Sequence, residues 1–228
     1  MTTAAALALS LLTPSTALAE ENDPVLTEEA RAEQAALEQA AETGESVPVE
    51  ELLGERRDVV ANPDGTFTAT EYVQPVRTRQ DDAWVDTDPT LVEREDGRLA
   101  PRASTLGLSL SNGGEGPIAV LARAGKKLEL GWPTSLPEPA IDGETATYPQ
   151  VLPGVDLVLR ASVDGFSQVL VVEDAEAAAQ PEIAQLRMSV SADGLQMATT
   201  DHGGIRAPEF SCFVGERTNA GVERFIGV

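Results

Sequence analysis

The carboxylates of the segment DDAWVDTDP are the side chains of this sequence whose type and spacing best suit a metal ion. Asp81, Asp82, Asp86 and Asp88 would offer hard oxygen ligands near the end of a strand, and Ca²⁺ prefers ligands of this kind. The segment lacks the EF-hand pattern, in which a glycine and a distal glutamate follow the alternating ligands. The sequence therefore predicts weak calcium binding at these four aspartates and indicates no other cofactor.

Few side chains of this sequence could take part in nucleophilic catalysis. His202, the single histidine, follows Asp201, and Cys212, the single cysteine, could pair with that histidine. A triad needs three groups that meet in space, but neighbours in sequence rarely have that geometry, and no cysteine-protease signature surrounds Cys212. No spacing suits zinc and no glycine-rich phosphate loop is present. We therefore assign no catalytic residue.

Carbohydrate chemistry provides two alternatives. Glycoside hydrolysis uses a pair of carboxylates, and the 38 acidic residues would allow a secreted hydrolase acting on polysaccharide. In a carbohydrate-binding module, Trp132 in the loop LGWPTSLP and Tyr148 would stack on the ligand. For Trp132 the sequence favours packing in the core, and Trp84 is expected to be a core or sheet-face residue.

The charge of the chain excludes one class of partner. Its 228 residues have a formal net charge of -22, and phosphate would repel such a chain instead of releasing counterions on binding. Nucleic acid is therefore not an expected partner. The chain also cannot form an internal disulfide with one cysteine, so its stability has to come from an aliphatic core.

The first residues have the features of a signal peptide. MTTAAALALSLLTPSTALA contains an apolar run and ends in Ala17-Leu18-Ala19, a small-x-small cleavage pattern. We interpret residues 1–19 as a signal peptide and expect a secreted, extracellular or cell-surface protein without a membrane span after cleavage. No Lys or Arg precedes the run, so the true start codon is expected upstream.

Two regions with different composition follow. Residues 20–55 are acidic and alanine-rich, with Thr27 as a helix N-cap candidate and Gly44 as a stop. They predict a helix that buries little, or a partly disordered spacer. Residues 56–198 contain short β-type runs separated by turn residues about every ten positions, which predicts a mainly all-β fold, an antiparallel β-sandwich or twisted sheets. The segment from Glu173 to Leu186, cut by Pro181, is expected to be a short helical or irregular crossover.

The segment LPGVDLVLRASVDGFSQVLVV predicts a β-hairpin. Asp164-Gly165 would form its turn, and Val155, Leu157 and Leu159 would share one face of the first arm. Both faces of the second arm are apolar, so we expect it to lie centrally and to be covered on two sides. Asp156 is interpreted as a structural residue satisfied by an arginine or a backbone donor.

This order of motifs resembles a family. An NPDGT turn, a W-V…D-x-T-L-V segment, an L-G-W-P loop and a Y-x-x-V-x-P-G-V-D-L strand look like the N-terminal β-rich region of secreted actinobacterial proteins described as LamG domain-containing, DNRLRE domain-containing or RHS (YD-repeat) proteins. The resemblance covers about residues 55–198. It implies a non-catalytic structural or interaction module whose partners are downstream domains of the same longer protein, and cell-surface glycans or proteins.

The resemblance fades near Gly203-Gly204. Residues 199–228 form a divergent tail, which we interpret as truncated, through a frameshift or an early stop. The alternative is a genuine divergent terminal strand, SCFVG or VERFIGV.

Overall fold

The computed structural model describes residues 26–199 and the backbone of three further strands at 205–207, 212–214 and 223–227. The chain is mainly β and its strand pairs are antiparallel, which confirms the predicted fold class.

The first part contains α1 (Glu28–Thr43), β1 (Val47–Pro48), a 3-10 turn (Glu50–Leu52), β2 (Arg57–Ala61), β3 (Phe67–Glu71), β4 (Arg77–Gln80) and β5 (Ala83–Asp86). The middle part contains β6 (Asp88–Glu93), β7 (Leu99–Ala103), β8 (Gly107–Leu110), β9 (Pro117–Arg123), β10 (Lys126–Gly131), β11 (Ala140–Asp142), β12 (Thr145–Leu152), β13 (Val155–Ser162) and β14 (Gly165–Val172). The last part contains α2 (Ala175–Ala178), α3 (Pro181–Ala184), β15 (Ser189–Asp193), β16 (Ala198–Thr199), β17 (Ile205–Ala207), β18 (Cys212–Val214) and β19 (Glu223–Gly227).

Two large sheets enclose the main core. One has the order β15-β10-β9-β8-β7-β6 and the other the order β11-β12-β13-β14-β19. Leu99, Leu110 and Leu121 from the first sheet and Leu157 and Leu159 from the second belong to one buried cluster. Because each strand points alternate side chains to opposite faces, one face of each sheet can be apolar and pack against the other. The result is a β-sandwich with a predominantly aliphatic interior.

The β13–β14 hairpin forms as predicted, with a turn displaced by one residue. Ser162 pairs with Gly165, so Val163 and Asp164 are the turn residues and Gly165 already belongs to the strand. The Val163 carbonyl accepts hydrogen bonds from Ser104 Oγ at 2.9 Å and from Thr105 N at 3.2 Å. These contacts hold the turn against the segment between β7 and β8. The local sequence of the hairpin alone cannot indicate them.

The second arm of this hairpin is central but is not covered on both faces. β14 lies between β13 and β19, and Phe166, Leu170 and Val172 contribute to the main core. Val171 on the opposite face is 47% exposed. The prediction of two covered faces was therefore wrong, because an apolar residue on an outer sheet face does not by itself require a covering layer.

The N-terminal helix has the predicted ends. The Thr27 hydroxyl accepts a hydrogen bond from Ala30 N, and Gly44 closes the helix with φ +73, a conformation that glycine adopts at little cost. Ala36 and Ala40 are buried against Val49, Val59 and neighbouring residues in a second, smaller apolar cluster. The helix was expected to bury little, but its small alanines allow a close approach to a three-stranded sheet of order β1-β2-β3. Helix α1 therefore packs on β2, which lies beyond the boundary between residues 55 and 56 at which the amino-acid composition changes.

The segment after β14 is the predicted crossover. It contains the short helices α2 and α3, with Pro181 at the start of α3, where the missing N–H costs nothing. The chain then enters β15, which pairs with β10 in the other large sheet. The crossover therefore carries the chain from one layer of the sandwich to the other.

Ion pairs connect residues 26–80, which contain α1 and strands β1 to β4 and are called the α1 region below, to the sandwich. Arg56 lies 3.1 Å from Asp164 at the β13–β14 turn, and Arg123 lies 2.9 Å from Glu55. Within the α1 region, Asp58 accepts a hydrogen bond from the Tyr72 hydroxyl at 2.7 Å and pairs with the mostly buried Arg77. Arg77 also donates to the carbonyls of Gly54 and Arg57, so Asp58 helps to position a guanidinium that joins β4 to residues 54–58.

The stability of this region is expected to fall in acid through Asp58. Hydrogen bonds from Arg77 and Tyr72 hold the pKa of Asp58 below its ordinary value of 3.8, so the carboxylate stabilises the folded state above about pH 4 and loses this effect as pH falls through the folded pKa. Asp58→Asn should lower the melting temperature at pH 7, and the difference from wild type should shrink below pH 4. Thermal melts between pH 2 and 7 measure it.

Asp82→Asn provides the charge-matched control at the exposed tip of the β4–β5 hairpin. A difference between wild type and Asp58→Asn that is constant over the whole pH range would contradict the assignment.

Candidate functional site

The four aspartates predicted to bind calcium are divided between the two ends of the β4–β5 hairpin and the first residue of β6. Asp81 and Asp82 form the turn between β4 and β5, with φ values of +48 and +64. Asp86 pairs with Arg77 at the open end of the hairpin. Three residues of strand lie between Asp82 and Asp86, so the two Cα atoms are about 13 Å apart at the usual rise of about 3.3 Å per residue. This exceeds what ligands of a single cation can span.

Asp88 already has protein partners. Its carboxylate accepts a hydrogen bond from Thr90 N at 2.9 Å and lies 3.8 Å from Arg102, and the contacts to Thr90 hold the pKa of Asp88 below its ordinary value. Among the residues that the structure describes, no three His, Cys, Asp or Glu side chains are grouped to hold a metal ion. The structure thus does not bring the calcium candidates together, because a spacing that is short along the chain becomes long across a hairpin.

The two aromatic residues predicted to stack on a ligand lie in the core. Tyr148 has 0% exposure and Trp132 has 8%. The Tyr148 hydroxyl donates to the Ser111 carbonyl at 2.5 Å, and burial raises the pKa of Tyr148 above its ordinary value of 10. Neither ring presents a face to solvent, so carbohydrate stacking at these residues is corrected to core packing, the alternative favoured for Trp132.

Of the two positions expected for Trp84, core or sheet face, the structure shows the sheet face. Its half-buried ring lies on β5, and the Arg79 guanidinium carbon is 4.7 Å from the ring centroid. Arg79 also donates to the carbonyl of Asp82 at 3.1 Å. The pair is a cation–π contact that stiffens the hairpin, and it occupies the ring face that a ligand would use.

The candidate site that the structure does reveal is a groove beside the β12–β13 turn. It has a volume of about 430 Å³. Its lining contains three carboxylates and one carboxamide, and consists of Pro153, Gly154, Glu173, Asp174, Glu176, Ala177 and Gln180. The groove lies where the crossover helix α2 meets the second sheet.

A bulge centred on Gln150 shapes one side of this groove. The β12–β13 register shifts between Tyr148 and Leu152, and Gln150 has φ +51, an uncommon conformation for a residue with a side chain. Asp156 stabilises it, because its carboxylate accepts the Gln150 N–H at 2.8 Å. The interpretation of Asp156 as a structural residue with a backbone donor is thereby confirmed.

The Gln150 side chain then links the turn to the groove. Its carbonyl oxygen accepts from Gly154 N at 2.9 Å, and its amide donates to Glu173 at 2.8 Å. Gln180 donates from the other side to the Pro153 carbonyl at 2.6 Å. The polar groups of this segment therefore satisfy one another and the backbone.

Gly154 brings the turn and helix α2 into close contact. It follows Pro153 with φ +68, the arrangement of a type II turn. A Cβ atom at position 154 would lie 2.9 Å from the Ala177 Cβ. Two reasons therefore favour glycine at position 154. Its backbone has a positive φ, and a side chain there would collide with α2.

The groove is negatively charged, but two of its three carboxylates are already bound by other groups of the protein. Glu173 is bound by Gln150, and Asp174 caps α2 by accepting from Ala177 N at 2.8 Å. Glu173 and Asp174 thus hold the β12–β13 turn and helix α2 in place. The sequence analysis included Pro153-Gly154 in a strand and missed this turn. The Gln150 bulge has no signal in the sequence, because glutamine has no preference for a positive φ.

The remaining catalytic alternatives fall largely outside the described residues. Asp201 and His202 lie there, and for Cys212 the structure describes only the backbone of β18. A thiol dyad or an Asp-His pair is therefore not tested.

Replacement of Gly154 should test the contact between the turn and α2. Gly154→Ala is expected to destabilise the protein by more than the ~1–2 kcal/mol that a positive φ costs an alanine, because the new methyl group also meets Ala177. Urea denaturation gives the free energy of unfolding.

Two further variants separate these effects. Gly143→Ala has φ +57 and no atom within 4 Å of the new Cβ, so it measures the backbone cost alone. Ala177→Gly should recover part of the loss in the Gly154→Ala background, and strictly additive losses would contradict the contact.

Removal of the Tyr148 hydroxyl should also destabilise the fold. Tyr148→Phe leaves the buried Ser111 carbonyl without this partner, at a cost of about 1–3 kcal/mol. Tyr72→Phe removes the hydroxyl that donates to Asp58, but this ring is 37% exposed and water can replace the lost hydrogen bond, so the substitution should cost less. Urea denaturation of both variants measures the difference, and equal losses would refute the role of the buried hydrogen bond.

Comparison with protein-family models, with curated proteins and with solved structures found no match. None of the helices that the structure describes is long and apolar enough to cross a membrane.

Proposed function

We propose that this chain is a non-catalytic structural or interaction module of a larger secreted or cell-surface protein, of the kind found in the N-terminal region of actinobacterial LamG domain-containing, DNRLRE domain-containing or RHS (YD-repeat) proteins. The observation that carries the proposal is the use of polar side chains at the groove. Gln150, Asp156 and Glu173 are bound to one another or to the turn backbone. They stabilise a scaffold, which is the role expected of a module that presents its surfaces.

The charge and the N-terminal sequence support the proposed location. A net charge of -22 favours solubility outside the cell. The segment ending in Ala17-Leu18-Ala19 has the form that signal peptidase cleaves. Carbohydrate binding through Trp132 and Tyr148 is not included in the proposal, because both side chains are buried.

Export is tested with a fusion protein. Residues 1–25 joined to a reporter that is active only outside the cytoplasm should give activity, and N-terminal sequencing should find Glu20 as the first residue of the product. Ala19→Pro should block cleavage while leaving expression unchanged. A reporter that stays inactive and uncleaved, even when two lysines placed before the apolar run supply the missing basic n-region, would contradict secretion.

The absence of catalysis is tested with the purified full chain. Incubation with soluble polysaccharides should release no reducing sugar above the level of a heat-denatured sample. Glu173→Gln and Glu176→Gln alter the groove carboxylates, and Glu115→Gln is a control in the β8–β9 loop outside the groove lining. Hydrolysis that is lost in a groove variant but retained in the control would overturn the proposal in favour of a secreted hydrolase.

A further inference from the structure

Strand β3 is an edge strand that is exposed on both faces. It is the last strand in the order β1-β2-β3, and each of its residues from Phe67 to Glu71 is exposed. Its one partner among the described strands is β2, with a regular register from Arg57↔Glu71 to Ala61↔Phe67. The second edge of β3 is therefore open along its whole length in the described part of the chain.

The hydrogen-bonding groups on this open edge can be assigned from the register. Asn62 N donates to the Thr66 carbonyl at 2.8 Å, and Tyr72 N donates to the Arg56 carbonyl at 2.7 Å. Because alternate residues of an antiparallel pair exchange hydrogen bonds, Thr68 and Thr70 also bond to β2. The N–H and C=O groups of Phe67, Ala69 and Glu71 therefore point away from the sheet.

An apolar strip accompanies these groups. Phe67 and Ala69 stand opposite Ala61 and Val59, which are buried in the α1 cluster. Helix α1 contacts β1 and β2, but Phe67 remains 41% exposed. The face that α1 covers on β2 thus continues uncovered onto β3.

Two other edge strands of the described sheets carry protection that β3 lacks. Edge strand β6 contains Pro89, and its register with β7 shifts between Asp88 and Leu91, while edge strand β11 has three residues. Proline, bulges and short length are the devices by which proteins prevent unwanted strand pairing. β3 has five residues, no proline, no lysine and no register shift.

The charge around β3 selects the kind of partner. Residues 26–73 contain twelve acidic and three basic side chains, a formal net charge of -9. A second copy of the chain would bring another net charge of -22 to this edge and would be repelled. A segment rich in Lys and Arg would instead be attracted.

We propose that β3 is a docking edge for an extended basic segment of another polypeptide, which pairs antiparallel with Phe67–Glu71 and places apolar side chains on Phe67 and Ala69. Main-chain hydrogen bonds would supply affinity, and alternate side chains would supply specificity, as in other cases of strand addition. The inference rests on the proposed function as an interaction module and names the chemistry of the partner.

The test uses the full chain and a fluorescein-labelled synthetic peptide of nine residues, KVKVKVKVK. Fluorescence anisotropy at low ionic strength should show saturable binding with one peptide per chain. Ala69→Pro removes an outward N–H and obstructs strand addition, so it should weaken binding by at least about tenfold. Phe67→Ser should also weaken binding, and Val171→Ser, which removes a comparably exposed apolar side chain from β14, should not.

Two peptide controls separate strand addition from simple charge attraction. KVKPKPKVK has the same charge but cannot pair as a strand, and EVEVEVEVE has the same pattern with the opposite charge; neither should bind. Circular dichroism and urea denaturation establish that each protein variant is folded.

Three results would overturn the inference. These are equal binding of the peptide by wild type and Ala69→Pro, equal binding of the proline-containing peptide, and concentration-dependent self-association that Ala69→Pro abolishes. The last would identify a second copy as the occupant. None of them would affect the proposed non-catalytic secreted role, which the export and hydrolysis experiments test separately.

Discussion

The sandwich depends on keeping alternate side chains of its strands directed to one interior. Val155, Leu157 and Leu159 have 0% exposure, and a shift of one residue in β13 would turn all three to the opposite face. Aromatic residues make up 4% of the chain, so many small aliphatic contacts must replace the large rings that dominate other cores. The register of each hairpin is therefore the constraint that the rest of the structure has to satisfy.

Backbone conformation at a few positions maintains this register. Ala124 and Gly125 both have positive φ between β9 and β10, which gives the turn a twist that suits paired strands. At the β12–β13 turn the same purpose is met by a group of residues, because Asp156 holds the bulge at Gln150 and Gln150 holds Gly154. The polar residues that resembled a site are thus part of the mechanism that fixes strand pairing.

Sequence patterns predicted features that depend on neighbouring residues and missed those that depend on distant ones. The caps at Thr27 and Gly44 and the alternation along β13 were visible because each is a local rule. The exposure of Val171 and the burial of Ala40 were not visible, since they depend on which layer covers a given face. The separation of the four calcium candidates was not visible for a similar reason, because proximity along DDAWVDTDP says nothing about the hairpin that separates Asp81 from Asp86.

The crossover through α2 and α3 determines the order in which the sandwich can be completed. Lys127 of β10 pairs with Asp193 of β15, 66 positions later in the chain. One edge of the first sheet therefore stays open until β11 to β14, four of the five strands of the second sheet, have been synthesised. Closing so long a loop costs entropy that only the final packing offsets, so folding of the first sheet is coupled to folding of the second. An emerging chain cannot complete the first sheet before most of the second has been synthesised, and β10 remains accessible to unwanted pairing until β15 arrives.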